Sequence, residues 1–196
     1  MVGTNPGAGV KNWDPNCKYI QMRKEQITEQ LKEYYPEGLT LNDIMAYSAS
    51  EAYSNRKRCI ESAWSDRRQW EQLKDSLSEL SAEIWDYSFM GGSPSYHFSF
   101  RLEQNEDILY SLFVSVILPY YAIRIMSLSN LKKSFNPIID TDFQVFEKLK
   151  KKVQNVFPEH LIIKDDRLLQ TKVDIFETDG ENPPSIQHLL FSTMET

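Results

Sequence analysis

YHFSFRLEQNEDILYSLFVSVILPYYAIRIM, residues 96–126, decides the fold. Tyr96, Phe98, Phe100 and Leu102 alternate with His97, Ser99, Arg101 and Glu103, the period-2 pattern of a strand with one buried face. The apolar run that follows is β-branched, aromatic and punctuated by serine, which suits sheet better than helix. The pattern predicts strands over 96–103, 108–117 and 120–127, with Gln104–Asp107 as a polar hairpin connection. Pro119 cannot donate to a ladder and marks the seam between the last two. Connections this short make antiparallel neighbours.

Upstream, the period changes to that of a helix. Asp14-Pro15 reads as a helix start and Pro36-Glu37-Gly38 as its stop, with Ile20, Ile27, Leu31 and Tyr34 on one stripe. Thr40 with Asp43 resembles a capping box. From Met45 through Trp64, Trp70, Leu73, Leu77 and Ile84, apolar residues recur at threes, fours and sevens, with no Gly or Pro between Leu41 and Met90. One helix of that length would span roughly 70 Å. A break is therefore expected near Ser65-Asp66, with the serine-rich run SASEAYSN (residues 48–55) as a second weak point. Gly91-Gly92-Ser93-Pro94 then marks the boundary to the sheet. Helices followed by strands predict an α+β fold, a helical part over 14–90 and a sheet-containing part over 95–192 of a single domain, behind a flexible lead-in over 1–13.

Downstream, Thr141 is expected to cap a helix with Phe146, Leu149, Val153 and Val156 inside and Lys148 and Lys150–Lys152 outside; Pro158 ends it. Leu161–Ile163 and Leu168–Phe176 read as strands flanking a turn at Lys164–Arg167, and Ile186–Phe191 as one or two helical turns.

The net charge of −6 disfavours nucleic acid as a partner. Pro119, Arg124, three Tyr and two Ser interrupt the longest apolar run, Leu109–Met126, which disfavours a membrane span. The opening residues lack the apolar core of a signal peptide, and Cys17 and Cys59 sit far apart with no metal-ligand spacing. A cytoplasmic protein with free thiols and no cofactor or metal is expected.

No nucleophile elbow, phosphate loop or zinc-protease motif occurs, and Gly91-Gly92 is a turn rather than a phosphate cradle. His97, His160 and His188 fall in separate elements. An enzyme would have to use His97 beside Ser99 and Arg101 with a carboxylate from a loop, yet the wet face of an antiparallel sheet has the same composition. The carboxylate pairs Glu106-Asp107 and Asp165-Asp166, like Glu177 and Asp179, fall in expected turns, where acids serve local backbone bonding. The basic groups Arg56–Arg58 and Arg67-Arg68 suit solvated helix faces. Trp64, Arg67, Arg68 and Trp70 combine the residue types that anchor protein interfaces.

The sheet strands SYHFSFRLE and LYSLFVSVILPYYAIRIM precede a lysine-rich helix ending in FPEH, then LLQTKVDIFETDG and the apolar SIQHLLFS. In this arrangement residues 95–192 are similar in style to small cytosolic immunity proteins of bacterial toxin competition systems, including those paired with secreted effectors. That resemblance implies a non-enzymatic protein that binds a cognate toxin and occludes its active site. The expected partner-binding residues, read from the chain itself, are Trp64, Arg67, Arg68 and Trp70, with Glu106, Asp107, Asp165 and Asp166 meeting a basic cleft. The alternatives are a scaffold that forms homo-oligomers through its long helices, and an enzyme built on His97.

Overall fold

The computed structural model describes residues 24–40, 43–81, 83–129, 140–177 and 183–192. The expected helix start at Asp14-Pro15, Cys17, Asn136-Pro137 and Asp179-Gly180 lie outside them. The fold is α+β, as expected: helices on both faces of a five-stranded, mostly antiparallel sheet of order β2-β3-β4-β5-β6.

The segment 96–126 supplies the centre of that sheet as β3 (Ser95–Leu102), β4 (Asn105–Ser115) and β5 (Tyr120–Ser127). Register pairs Phe98 with Leu112 and Leu112 with Ile123, so like side chains share a face across three strands. On one face Tyr96, Phe98, Phe100, Tyr110 and Leu112 are buried with Leu73 and Leu77 of α4 (Arg68–Ser78) and Leu149 and Val153 of α5 (Asp140–Val156). On the other, Tyr120 and Ala122 join Ile27 and Leu31 of α1 (Lys24–Leu31) and the buried residues of α7 (Ile186–Phe191). Strands with both faces covered carry near-continuous apolar sequence, which is why 108–126 lacks clean alternation.

The long helical region breaks where its sequence is weakest. The helix α2 (Ile44–Ser48) ends ahead of Ser50, whose hydroxyl accepts from the Tyr53 amide (3.1 Å) and caps α3 (Glu51–Ser65). The second break falls at Asp66-Arg67, before α4. Several expectations need correction. The helical stretch does not reach Met90: α4 stops at Ser78, and Ile84–Asp86, with Trp85 at its centre, forms β2 on the edge of the sheet. Ser81 explains the stop, since its buried hydroxyl bonds to the Arg101 carbonyl (2.6 Å) and ties the chain to β3. Thr40 belongs to β1 (Leu39–Thr40) and Asp43 precedes α2, so the capping box does not form. The connection between β3 and β4 is shorter than expected, with Leu102 paired to Asn105 and a register shift beside it. It leaves Glu106 and Asp107 inside β4 rather than in the turn.

The chain crosses from β5 through α5, which contains Thr141 instead of being capped by it, to β6 (Leu161–Ile162), parallel to β5. The expected strand Leu168–Phe176 is instead α6 (Asp166–Gln170), an irregular stretch and β7 (Phe176–Glu177), which pairs parallel with β1. The Asp165 carboxylate accepts the Arg167 amide (2.9 Å) and starts α6, a local use of the acid that overrides the alternation of Leu169, Val173 and Ile175. Those three side chains are buried all the same.

Candidate functional site

The break between α3 and α4 sets two hollows side by side. The first, about 240 Å³, is lined by Trp64, Arg67, Trp70, Asp86, Ser88 and Phe89. Trp64 ends the exposed face of α3 and is 52% accessible. Arg67, in the break, lays its guanidinium 4.3 Å from the centre of the Trp64 ring and 5.6 Å from that of Trp70. Lys74, one turn on from Trp70, sits 4.6 Å over the other indole and 3.7 Å from Asp86. Asp86 also accepts the Ser88 amide (3.0 Å).

The loop after β2 closes this hollow. Phe89 stands edge-on to Trp64 (5.6 Å) and to Tyr96 (5.2 Å). Its backbone has φ +60°, the left-handed region that a bulky side chain occupies at a cost of about 1–2 kcal/mol. Among the described residues no other non-glycine does so. Gly91 and Gly92, also at positive φ, let the loop double back onto β3, and Met90 is left 59% accessible beside Phe89.

The second hollow, about 550 Å³, lies on the other side of α3 against the loop between β4 and β5. Arg58, Cys59 and Asp66 face Tyr96, Pro119 and His160 across it. Burial holds the Tyr96 hydroxyl up at about 12, helped by the Asp66 charge. Burial also raises the Cys59 thiol, leaving it a poor nucleophile, and keeps His160 neutral while it donates to the Ser115 carbonyl (3.2 Å). At neutral pH the groove thus offers uncharged hydrogen-bonding groups between one cation and one carboxylate. Asp66 is engaged by the Arg68 guanidinium (2.8 Å to Nε), which pulls its pKa down to about 2.

Of the residues expected to bind a partner, the structure gathers Trp64, Arg67 and Trp70. Arg68 is not with them, because Asp66 holds it. Glu106 and Asp107 lie elsewhere: from Val114, opposite Tyr96, back to Asp107 is seven residues of strand, about 23 Å. Asp107 is also occupied, accepting from the Ser127 hydroxyl (2.8 Å) and the Ser129 amide (2.9 Å) and so pinning the end of β5. Asp165 caps α6, and Asp166 is the first residue of that helix. Sequence reasoning missed Asp86, Ser88 and Phe89. The signal available was SFMGG, two large apolar residues set against a double-glycine turn, where a solvated loop would carry polar ones.

His97 is stacked on Phe113 (4.1 Å between ring centres) and packed by Tyr87, with Nε2 3.3 Å from the Ser99 hydroxyl. It lines neither hollow. Burial drops its pKa to about 4, with Arg124 assisting against the pull of Asp86. The folded value lies below the ordinary histidine value of about 6.5, so between those pH values the unfolded chain binds the proton and the native one does not. Stability is expected to fall as pH drops from 6.5 towards 4, and His160 acts in the same direction. Urea midpoints measured across that window should flatten in His97→Gln; an unchanged slope would place the acid sensitivity in other groups.

Among the described residues, no helix is long and apolar enough to cross a membrane, and no three His, Cys, Asp or Glu side chains cluster to hold a metal ion. No family model, curated protein or solved structure matches the chain.

Proposed function

We propose that this is a protein-binding module, and that its partner is a cognate bacterial toxin whose active site it occludes. One observation carries the binding reading: the cradle of Trp64, Arg67 and Trp70 against Phe89, half exposed on a folded surface. Tryptophan and arginine dominate binding energy at interfaces; tryptophan buries large area with few rotamers to freeze, and the rotamer cost of arginine is lowered where its guanidinium is already stacked on indole. The strained Phe89 backbone is of the kind that persists where a surface must be held in one shape. The toxin assignment rests on the resemblance of residues 95–192 to immunity proteins and on the charge of −6, which would steer encounter with a basic toxin.

Co-expression with the product of the neighbouring gene tests both parts. The tagged protein should retain that product and restore growth of cells that make it. Trp64→Ala should weaken the complex about thirtyfold or more, the effect of losing a hot spot of about 2 kcal/mol. Retention without growth rescue would remove the toxin while keeping the binding module. No retention at all would remove both.

A further inference from the structure

We infer that the hollow between Trp64 and Trp70 receives a single carboxylate side chain, Asp or Glu, carried by the partner next to an apolar residue. This rests on reading that surface as a protein-binding site. The other charges near Arg67 form two pairs: Arg68 with Asp66, and Lys74 with Asp86, which also accepts the Ser88 amide. Arg67 itself makes no ion pair among the described residues; it has two indole faces instead. Stacking occupies the flat face of a guanidinium and leaves its edge, where the N–H groups project, for a planar oxyanion. A hollow of about 240 Å³ falls below the roughly 300–1,000 Å³ of small-molecule sites and is of the scale of one anchoring side chain. Trp64, Phe89 and the exposed Met90 give an apolar neighbour its contact. The chain's net charge of −6 repels a broadly acidic partner, so the acid is a solitary one on a surface that is otherwise neutral or basic.

The probe is the peptide acetyl-Leu-Glu-Leu-amide, compared with its Gln counterpart. Indole N–H NMR signals are assigned with Trp64→Phe and Trp70→Phe. The Glu peptide should shift both signals, at least tenfold more tightly than the Gln peptide, and added salt should weaken it. Arg67→Gln, whose melting curve should match that of the parent because the side chain is exposed, should bring the Glu peptide down to the Gln level; Arg67→Lys should restore part of the difference. Equal response to the two peptides, an unchanged response in Arg67→Gln, or silence at both indoles would overturn the assignment. If Trp64→Ala still abolishes capture of the protein partner in that case, only the carboxylate is lost. If the peptides discriminate but Trp64→Ala leaves capture intact, the site takes carboxylates and the protein-binding reading is the one that fails.

Discussion

Arg56→Leu should lower the stability of the protein by about 2–6 kcal/mol, since two neutral acceptors each lose a guanidinium hydrogen bond at about 1–3 kcal/mol apiece. Arg56 is 9% accessible, although it lies in a helix whose other cations are in water. Its Nη2 donates to the Gly92 carbonyl (2.7 Å), its Nε to the Tyr35 hydroxyl (3.2 Å), and its plane lies 5.6 Å from the Tyr35 ring. Tyr35 in turn donates to the Leu189 carbonyl (2.6 Å). One side chain therefore ties α3 to the segment after α1, to the glycine loop and to α7. Leucine fills much of the volume but removes the donors that Arg56 gives the Gly92 carbonyl and the Tyr35 hydroxyl. Arg56→Lys should recover little, since one ammonium cannot reproduce two diverging guanidinium bonds. Urea unfolding measures the loss. A change below 1 kcal/mol would mean that water replaces the guanidinium in place.

Ending the chain after Pro184 should abolish cooperative folding. The helix α7 has six residues, and Ile186, Leu189, Leu190 and Phe191 are each at most 2% accessible. At about 1.5–3 kcal/mol per buried side chain, they contribute roughly 6–12 kcal/mol, comparable to the whole stability of an ordinary domain. The helix is held at both ends. Ser185 caps its start by accepting from the His188 amide (3.2 Å), and the Phe191 carbonyl accepts from Ser93 (2.9 Å) and Ser95 (3.0 Å). Circular dichroism of the shortened protein should show no sharp thermal transition. Leu189→Ala, a cavity without loss of the helix, should cost about 2–5 kcal/mol and leave a transition to measure. A shortened chain melting like the parent would mean that the sheet and α4–α5 form an independent core.

The central strands were legible because a sheet face must repeat every two residues, and 96–126 keeps that repeat until burial on both sides erases it. The helix breaks were legible because Ser50 and Asp66 are better at capping than at continuing a helix. The strand Ile84–Asp86 was not, since Ile84 lies seven residues from Leu77, a spacing that suits a helix, and only the tertiary bond from Ser81 to Arg101 settles the matter. Leu168–Phe176 failed for the opposite reason: alternation there comes from an irregular chain dipping into the core. At the site, Trp64, Arg67 and Trp70 are close in sequence and could be grouped from it. Phe89 and Asp86 reach them only through the sheet edge, and Asp107 and Asp165 are spent on bonds within the fold that spacing does not reveal.

The bond from Tyr35 to Leu189 spans 154 residues. During synthesis at roughly 5–20 residues per second, the buried stripe of Ile27, Leu31 and Tyr35 waits about 8–30 s for the segment that covers it. For the last part of that interval, once Ser127 has been made, α1 has β3–β5 but not α7 to rest against. A nascent chain in this state is a natural client for a chaperone, and its yield should depend on how quickly translation runs from the sheet to α7.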